Sequence, residues 1–227
     1  MANPKLYGVP WSRASRCLWM LEELGVPYTH VKADFASGDT RTPEFLAINP
    51  NGHVPALVDD DLRLFESLAI NLYLAERYGK DGFWPAAIGD RARAVQWSFW
   101  VMTECEARTF AVLFSRGGPQ FEKWRAWTAT AEFRETHPDD APPTPEQAQV
   151  AAKASEAALR LAFDVLDRAL GERPYLLGDA FGVADLNVAS VLITARLAQL
   201  DLSPHPRVDA WLTRCTTRPA LAAAARK

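Results

Sequence analysis

The chain has 227 residues, of which 48% are hydrophobic and 23% are charged. This composition is typical of a globular protein with one large or two small domains, and it excludes disordered, collagen-like and low-complexity classes. With 25 basic and 28 acidic residues, the net charge is −3, which gives no general attraction to nucleic acid or to an anionic membrane surface. Eight Trp and eleven Phe supply material for a large apolar core.

The three cysteines, Cys17, Cys105 and Cys215, are widely spaced and form no CxxC or Cys/His cluster. This spacing supports neither a zinc site nor a disulfide framework. No apolar secretory segment follows Met1, and the apolar run over residues 186–195 is far too short for a membrane span. We therefore expect a protein of the reducing cytoplasm that binds neither metal nor membrane.

The first 80 residues predict an α/β unit. Four short apolar runs predict strands, at residues 5–7, 28–31, 56–58 and 62–65. Three helical segments alternate with them: from Ser15 to a stop signal at Gly25, over 43–47, and from a capping Ser67 to Gly79. The last two strands flank an Asp-rich turn at 59–61 and read as a hairpin. The predicted order is β-α-β-α-β-β-α.

Strand signals disappear beyond the turn at residues 80–82. Helices are predicted over 90–114, then from the Gly-Gly-Pro break at 117–119 to about 135, over 144–170, over 183–200, over 206–214, and from Pro219 onwards. A proline-rich loop at 137–144 precedes Thr144-Pro145-Glu146-Gln147, a capping box with Pro at the first helical position. We expect a two-domain architecture of class α+β/α, with an α/β domain over 1–80 and an all-helical domain over 88–227.

Four motifs follow one another along the chain. They are Leu6-Tyr7-Gly8 with Ser12-Arg13-Ala14-Ser15-Arg16; Asn49-Pro50-Asn51-Gly52-His53-Val54-Pro55; Leu64-Phe65-Glu66-Ser67; and Gly182-Val183-Ala184-Asp185. At this spacing the sequence resembles the cytosolic glutathione S-transferases of bacterial, serine type, over nearly its whole length. The resemblance implies a thioredoxin-like domain followed by a helical domain, glutathione as co-substrate without a metal, a homodimer and a role in detoxification. The last motif departs from the usual Ser/Thr-x-x-Asp capping box, because Gly182 stands in place of Ser or Thr. Asp185 matches the box, and we expect a structural role for this residue.

The resemblance implies a cis peptide bond between Val54 and Pro55, which turns the Val54 main chain toward glutathione. It also implies that the Ser67 hydroxyl and the neighbouring amides bind the γ-glutamyl carboxylate, while Glu66 faces the ammonium group. The start of a helix suits an anion on physical grounds too, because main-chain N–H groups and the helix dipole converge there. The alternatives are an ordinary trans proline and a plain N-cap serine.

Arg41 and His53 occupy positions where related enzymes bring cationic or amide groups to the glycyl carboxylate of glutathione. His53 stands where Lys or Gln is more usual before Val-Pro. A neutral histidine would donate a hydrogen bond rather than contribute a full charge. The alternative for both residues is a solvated position in a loop.

Ser12 stands where the serine-type relatives place the hydroxyl that stabilises the glutathione thiolate. Tyr7 and Ser15 are the alternatives: tyrosine-type relatives use a residue close to the first strand, and Ser15 lies nearer the helix start, which it could cap. Tyr7 belongs to the first strand and is better explained by packing in the core. Cys17 falls on the apolar face of the first helix, which predicts a buried, inert thiol.

The pocket for the second substrate is expected between the two domains. Trp11, Trp97, Trp100, Glu104 and Arg108 are candidates to line it, and the last four share one face of a continuous α-helix. The alternative is that the tryptophans pack between helices or in a dimer. An apolar pocket with one or two charges suggests a small hydrophobic electrophile.

The predicted function is therefore that of an enzyme that binds glutathione, stabilises its thiolate and transfers it to an electrophile. Isomerisation is disfavoured, because maleylacetoacetate-isomerase-type relatives carry Ser-Ser-Cys where this chain has Trp11-Ser12-Arg13. Glutathione-dependent reductive cleavage of ethers, halides or disulfides is an alternative. A transferase-like protein that binds partner proteins without turnover is another, and a small-molecule carrier is a third.

Overall fold

A computed structural model of the chain describes residues 3–80, 82–117, 119–130, 133–134 and 143–227. Its four strands are the predicted ones: β1 (Lys5–Tyr7), β2 (Thr29–Val31), β3 (Ala56–Asp59) and β4 (Leu62–Phe65). They form one sheet in the order β2-β1-β3-β4. β1 is parallel to β2 and antiparallel to β3, which pairs in turn with β4 as the predicted hairpin.

Three helices accompany the sheet in the predicted order: α1 (Ala14–Leu24), α2 (Pro43–Leu46) and α3 (Ser67–Tyr78). α1 ends as expected at Gly25, whose φ of 62° is a left-handed conformation that glycine adopts without steric cost. The middle of α1 is fully buried and includes Trp19, and the helix packs against α3. The arrangement confirms a thioredoxin-like domain at the start of the chain.

The structure corrects two predicted helix caps. Ser67 is the first residue of α3 rather than its cap, and Glu66 holds the N-cap position without a side-chain capping bond. The reason is that the Ser67 side chain is buried and accepts a hydrogen bond from α1 instead. α1 begins at Ala14 with Arg13 at its N-cap position, so Ser15 lies inside the first turn and does not cap the helix.

The second half of the described chain is helical, as predicted. Its helices are α4 (Ile88–Val101), α5 (Ala107–Ser115), α6 (Pro119–Thr128), α7 (Pro145–Leu170), α8 (Val183–Leu197), α9 (Pro206–Thr216) and α10 (Pro219–Ala224). A π-helical segment (Met102–Glu106) joins α4 to α5, so the helix predicted over 90–114 is continuous but not uniform. None of the helices within the described ranges is long and apolar enough to cross a membrane.

The predicted capping box opens α7. The Thr144 hydroxyl accepts a hydrogen bond from the Gln147 main-chain N–H (3.3 Å), and Gln147 Oε1 accepts one from the Thr144 N–H (2.8 Å). These reciprocal bonds satisfy two amides at the helix start. α7 ends at Leu170 before Gly171, as expected. The preceding helix, α6, ends at Thr128 and residues 129 and 130 are not helical, so the helix predicted from 119 to about 135 is interrupted. Residue 135 and most of the loop predicted at 137–144 lie outside the described residues.

Asp185 has the structural role that the sequence predicts. Its carboxylate, buried at the start of α8, accepts hydrogen bonds from the N–H groups of Leu176 (2.9 Å) and Gly182 (3.2 Å) and from Nε1 of Trp211 (2.8 Å). Burial disfavours the charged form and raises the pKa of this carboxyl to about 6, although the three donors act in the opposite direction. Asp185 therefore connects the loop before α8 and helix α9 to the start of α8 by hydrogen bonds.

The chain divides into two compact units. The first comprises Met1–Ser98, Glu172–Ser190 and Trp211–Lys227, and the second comprises Phe99–Gly171 and Val191–Ala210. The first unit thus joins the sheet and its helices to later segments, among which α10 packs against α1. The boundaries predicted from the sequence, 1–80 and 88–227, follow the change from mixed to helical structure and stay a prediction.

Candidate functional site

Three of the predicted binding segments lie at one end of the sheet. Tyr7, the last residue of β1, pairs with Ala56, the first residue of β3, which in turn pairs with Phe65, the last residue of β4. The loop with Ser12 leaves this end, the Val54–Pro55 segment enters it, and Ser67 follows it. Strand register therefore brings together three segments that the sequence separates by up to 55 residues.

The Ser12 hydroxyl is held by its own loop. It donates a hydrogen bond to the Val9 carbonyl (2.7 Å), and its oxygen accepts one from the Ala14 N–H (3.1 Å). The oxygen thus lies at the N-terminal end of α1, where the helix dipole is positive. Because a hydroxyl has one proton, it can donate to a ligand only by turning away from Val9. The bond from Ala14 polarises the hydroxyl and makes it a stronger donor.

The structure gives the alternatives to Ser12 other surroundings. The Tyr7 ring is half-buried and contacts Phe45 edge-on, with ring centroids 6.1 Å apart, beside the buried Ala33 and Ala56. This confirms that Tyr7 packs in the core. Cys17 is fully buried and donates to the Ser67 carbonyl (3.4 Å), and burial raises the pKa of its thiol far above the ordinary range. The predicted burial of this thiol is confirmed.

The main chain of Val54 is available to a peptide-like ligand. The Val54–Pro55 bond is cis, as the resemblance implies. The N–H and carbonyl of Val54 make no hydrogen bond with any other residue in the described ranges, and Val54 itself is half-buried. Main-chain groups without partners at the end of a strand can pair with an extended ligand as a further strand does.

Asn49, which sequence reasoning did not single out, shapes the loop that leads to Val54. It is buried, and its Nδ2 donates to the His53 carbonyl (2.6 Å). Its Oδ1 accepts bonds from the Asn51 N–H (3.1 Å) and from Asn51 Nδ2 (3.0 Å). The available signal was the Asn-Pro-Asn-Gly run, because asparagine side chains commonly bond to the main chain two residues on.

Arg41 and His53 lie at this same loop. Arg41 is half-buried, and its Nη1 donates to the Asn51 carbonyl (3.4 Å). Its guanidinium lies against Gly52, whose φ is 65° and where any added Cβ would collide with it. His53 follows directly, with an exposed side chain. The structure thus places both predicted cationic or amide donors at the turn that precedes Val54.

The start of α3 offers a hydroxyl proton beside a buried cation. Ser67 is 3% exposed, and its Oγ accepts a hydrogen bond from Nη1 of Arg16 (3.3 Å), which is 4% exposed. Within the described part of the chain the Ser67 hydroxyl donates to no other group, so its proton remains available. Glu66 beside it is exposed and has a φ of 69°, a strained conformation typical of ligand-binding turns.

Arg16 is the second residue that sequence reasoning missed. The signal was a charged residue inside the apolar run of α1, between the buried Ala14 and Cys17. A guanidinium in such a place needs hydrogen-bond acceptors, and Ser67 supplies one of them. The buried positive charge also favours an anion at the start of α3.

The candidates for the electrophile pocket belong to both units. Trp11 is 54% exposed and lies in the first unit, whereas Trp100, Glu104 and Arg108 lie in the second. Arg108 Nη1 donates to the carbonyls of Thr103 (3.0 Å) and Glu104, and it lies 3.3 Å from Glu104 Oε2. The structure therefore brings Glu104 and Arg108 together.

The predicted common face of Trp97, Trp100, Glu104 and Arg108 assumed an unbroken α-helix. The π-helical segment has more residues per turn than an α-helix, so it rotates Arg108 relative to Trp100. Such segments are frequent at functional sites. In the described ranges, no group of three or more His, Cys, Asp or Glu side chains could hold a metal ion.

Comparisons with known proteins point to one family for the whole chain. The sequence model of the glutathione S-transferase N-terminal domain matches residues 2–76, and that of the C-terminal domain matches residues 148–214. The chain is 31% identical over 212 residues to glutathione S-transferase GstB of Escherichia coli K12, which covers 92% of this chain and 91% of that protein. It is also 31% identical over 222 residues to the disulfide-bond oxidoreductase YfcG of the same organism, over 95% and 91% of the two chains.

The fold leads to the same result. The structure of a glutathione S-transferase I bound with lactoylglutathione superposes with a TM-score of 0.78 at 28% identity and covers 99% of both chains. The chain belongs to the glutathione S-transferase family.

Proposed function

We propose that this glutathione transferase uses Ser12 to stabilise the thiolate of bound glutathione for attack on a small hydrophobic electrophile. The observation that carries the proposal is the strand register, which brings the Ser12 loop, the main chain of Val54 and the Ser67 hydroxyl to one end of the sheet. A donor near sulfur, a main-chain pair and an anion site are what a γ-glutamyl tripeptide thiol requires.

The role of Ser12 follows from the chemistry of thiols. A free thiol has a pKa of about 8.5, so only about 3% of it is the nucleophilic thiolate at pH 7. A hydrogen bond to the charged form favours that form and lowers the pKa. The Ser12 hydroxyl, at the positive end of α1 and polarised by the Ala14 N–H, is suited to donate this bond.

The rest of glutathione binds along the same end of the sheet. Val54 exchanges main-chain hydrogen bonds with the tripeptide, and Ser67 with the first turn of α3 holds the γ-glutamyl carboxylate while Glu66 faces the ammonium group. Arg41 and His53 approach the glycyl carboxylate. The support is the set of donors described above: a Ser67 proton without an acceptor in the described chain, and a loop that Asn49 and Arg41 hold in place.

Trp11 of the first unit and Trp100, Glu104 and Arg108 of the second are our candidates for binding the electrophile. The π-helical segment and the Glu104–Arg108 pair support a functional role for this part of the helix. We further propose that the enzyme acts in cytoplasmic detoxification, as befits a chain whose three cysteines are unpaired and buried.

The functional form is a homodimer. Phe99 is 68% exposed, and Leu62 and Phe65 on β4 are also exposed. Large exposed apolar side chains commonly mark an interface, and we propose that Phe99, with Trp97 and Phe110, contributes to it. Light scattering at micromolar concentration should give about twice 25.2 kDa. Phe99→Asp should shift the mass toward the monomer, and a monomeric unsubstituted protein would contradict the proposal.

The experiment that tests the function is retention on immobilised glutathione, followed by assays with an aryl halide, an epoxide and a mixed disulfide. Conjugation of glutathione to the first two supports the transferase mechanism. Failure to bind glutathione at millimolar concentration would favour the alternative of a partner-binding protein without turnover.

A second candidate is glutathione-dependent reductive cleavage, which the similarity to a relative named a disulfide-bond oxidoreductase favours. Because all three cysteines are buried, the reducing thiols would come from glutathione itself. Turnover of the mixed disulfide without conjugation of either electrophile would favour this candidate over the transferase.

A further inference from the structure

A series of buried hydrogen bonds joins α3 to α8 and α4. Asn71 on α3 and Asn187 on α8 are fully buried, and Nδ2 of Asn71 donates to Oδ1 of Asn187 (2.9 Å). Nδ2 of Asn187 then donates to the Ser98 hydroxyl on α4 (2.8 Å), which donates to the Ala94 carbonyl (2.8 Å). All four residues belong to the first compact unit, so these bonds fix three of its helices to one another.

The same series reaches the start of α3. Asn71 lies one helical turn after Ser67, so the two side chains share a face of the helix. Nδ2 of Asn71 also donates to the Arg16 carbonyl (3.4 Å), while the Arg16 guanidinium donates to the Ser67 hydroxyl (3.3 Å). Asn71 and Ser67 are therefore held against the same residue of α1.

Stability alone does not account for an amide at position 71. Its Oδ1 is buried and accepts no hydrogen bond from any group in the described ranges, which costs free energy. A pair of leucines at positions 71 and 187 would fill similar space without an unpaired polar atom. Hydrogen bonds between amides are directional, so they allow one relative placement of the two helices. Apolar contacts are not directional, and they allow the helices to shift along one another.

We infer that the Asn71–Asn187 pair positions α3 for glutathione binding. Asn71 is fully buried and cannot touch the ligand, so it is a positioning residue that acts through Arg16 and through the placement of α3. It sets where the Ser67 hydroxyl and the amides of the first helical turn meet the γ-glutamyl group. The inference rests on the proposed function, which puts glutathione at this end of the sheet.

The test compares Asn71→Leu, Asn187→Leu and the double variant with the unsubstituted protein, by urea unfolding, calorimetric titration with glutathione and steady-state kinetics. Each single variant leaves one buried amide without its partner and lowers stability, whereas the double variant removes both and recovers most of it. Glutathione affinity falls about 2- to 30-fold in all three variants, the range that buried side-chain networks carry. KM for glutathione rises while kcat changes little.

Tyr73→Phe is the matched control. It removes a hydrogen bond from the same helix, between the Tyr73 hydroxyl and Asp59 Oδ2 (2.8 Å), without touching the Asn71 series. We expect it to lower stability and to leave glutathione affinity unchanged.

The outcomes separate this inference from the proposed function. A double variant that regains stability but not affinity supports positioning. A double variant with native affinity overturns it, as does a loss of affinity that follows stability through every variant, Tyr73→Phe included. An unsubstituted protein that binds no glutathione overturns the proposed function and this inference together.

Discussion

Replacing Ser12 by alanine tests the proposed activation of glutathione most directly. In the protein without substrate, the hydroxyl bonds to Val9 and Ala14, so the variant loses two local hydrogen bonds. With glutathione bound, it also loses the bond to sulfur. Because that bond favours only the charged thiolate, its loss should raise the pKa of the bound thiol and move the pH–rate profile upward.

The size of the pKa shift is the strength of the new bond to sulfur less that of the bond between Ser12 and Val9, which the hydroxyl must break. A hydrogen bond to a charged acceptor is worth about 1.5–3 kcal/mol, and leaving the Val9 carbonyl costs about 1 kcal/mol. The net gain of about 0.5–2 kcal/mol corresponds to about 0.4–1.5 pKa units. If the pKa of the thiol falls from about 8.5 to about 7.5, about 24% of it is thiolate at pH 7 instead of about 3%. Ser12→Ala should therefore lose about eightfold in rate at pH 7 and regain it at high pH.

The assay is the ultraviolet absorbance of the thiolate in the enzyme–glutathione complex, titrated against pH, beside the pH profile of kcat. Glutathione affinity should be nearly kept, because Ser12 acts on the sulfur alone. Ser15→Ala, in the first turn of α1, serves as the control and should titrate as the unsubstituted complex does. An unchanged titration in Ser12→Ala together with a shifted one in Ser15→Ala or Tyr7→Phe would refute the reasoning.

Three further predictions concern binding and stability. Glu66→Ala and Ser67→Ala should each weaken glutathione binding about 10- to 150-fold, the equivalent of one charge-assisted hydrogen bond, with kcat nearly kept; calorimetry and kinetics check this. Gly52→Ala forces a Cβ against a guanidinium and to 3.1 Å from a main-chain carbonyl at a φ of 65°, so urea unfolding should show a larger loss than Gly38→Ala, where φ is 81° and the space is open. Because burial raises the pKa of Asp185 to about 6, above its unfolded value, its contribution to stability is present at low pH and lost as pH rises through 6. Relative to Asp185→Asn, the unsubstituted protein should therefore lose about 2 kcal/mol of stability from pH 4 to pH 6 in urea unfolding.

Local chemistry explains which elements the sequence could predict. The stop at Gly25 and the capping box of Thr144 and Gln147 depend on residues within four positions of one another, and both form as predicted. The hairpin between β3 and β4 is equally local. The cis bond at Val54–Pro55 came from the resemblance, because most X-Pro bonds are trans and spacing alone does not distinguish them.

The contacts that sequence reasoning missed join residues far apart in the chain. Ser67 looked like a helix cap because only its neighbours were visible; its hydroxyl bonds instead to Arg16, 51 positions earlier. The Asn71–Asn187 pair spans 116 positions. A buried polar residue shows in a sequence as an interruption of an apolar face, but its partner does not. The π-helical segment likewise had no local signal, and so the common face predicted through Arg108 assumed an α-helical period that this segment does not have.

The start of α1 connects the residues of two proposed roles, thiol activation and γ-glutamyl binding. Ser12 stands directly before this helix, and Arg16 and Cys17 in its first turns bond to the side chain and to the carbonyl of Ser67. The Ser12 hydroxyl, proposed to bind the sulfur, and the Ser67 hydroxyl, proposed to bind the carboxylate, are thus both positioned by α1 rather than by two independent loops. The loop before Val54 follows the short helix α2, and it is held by the buried side chain of Asn49, which makes three hydrogen bonds within the loop.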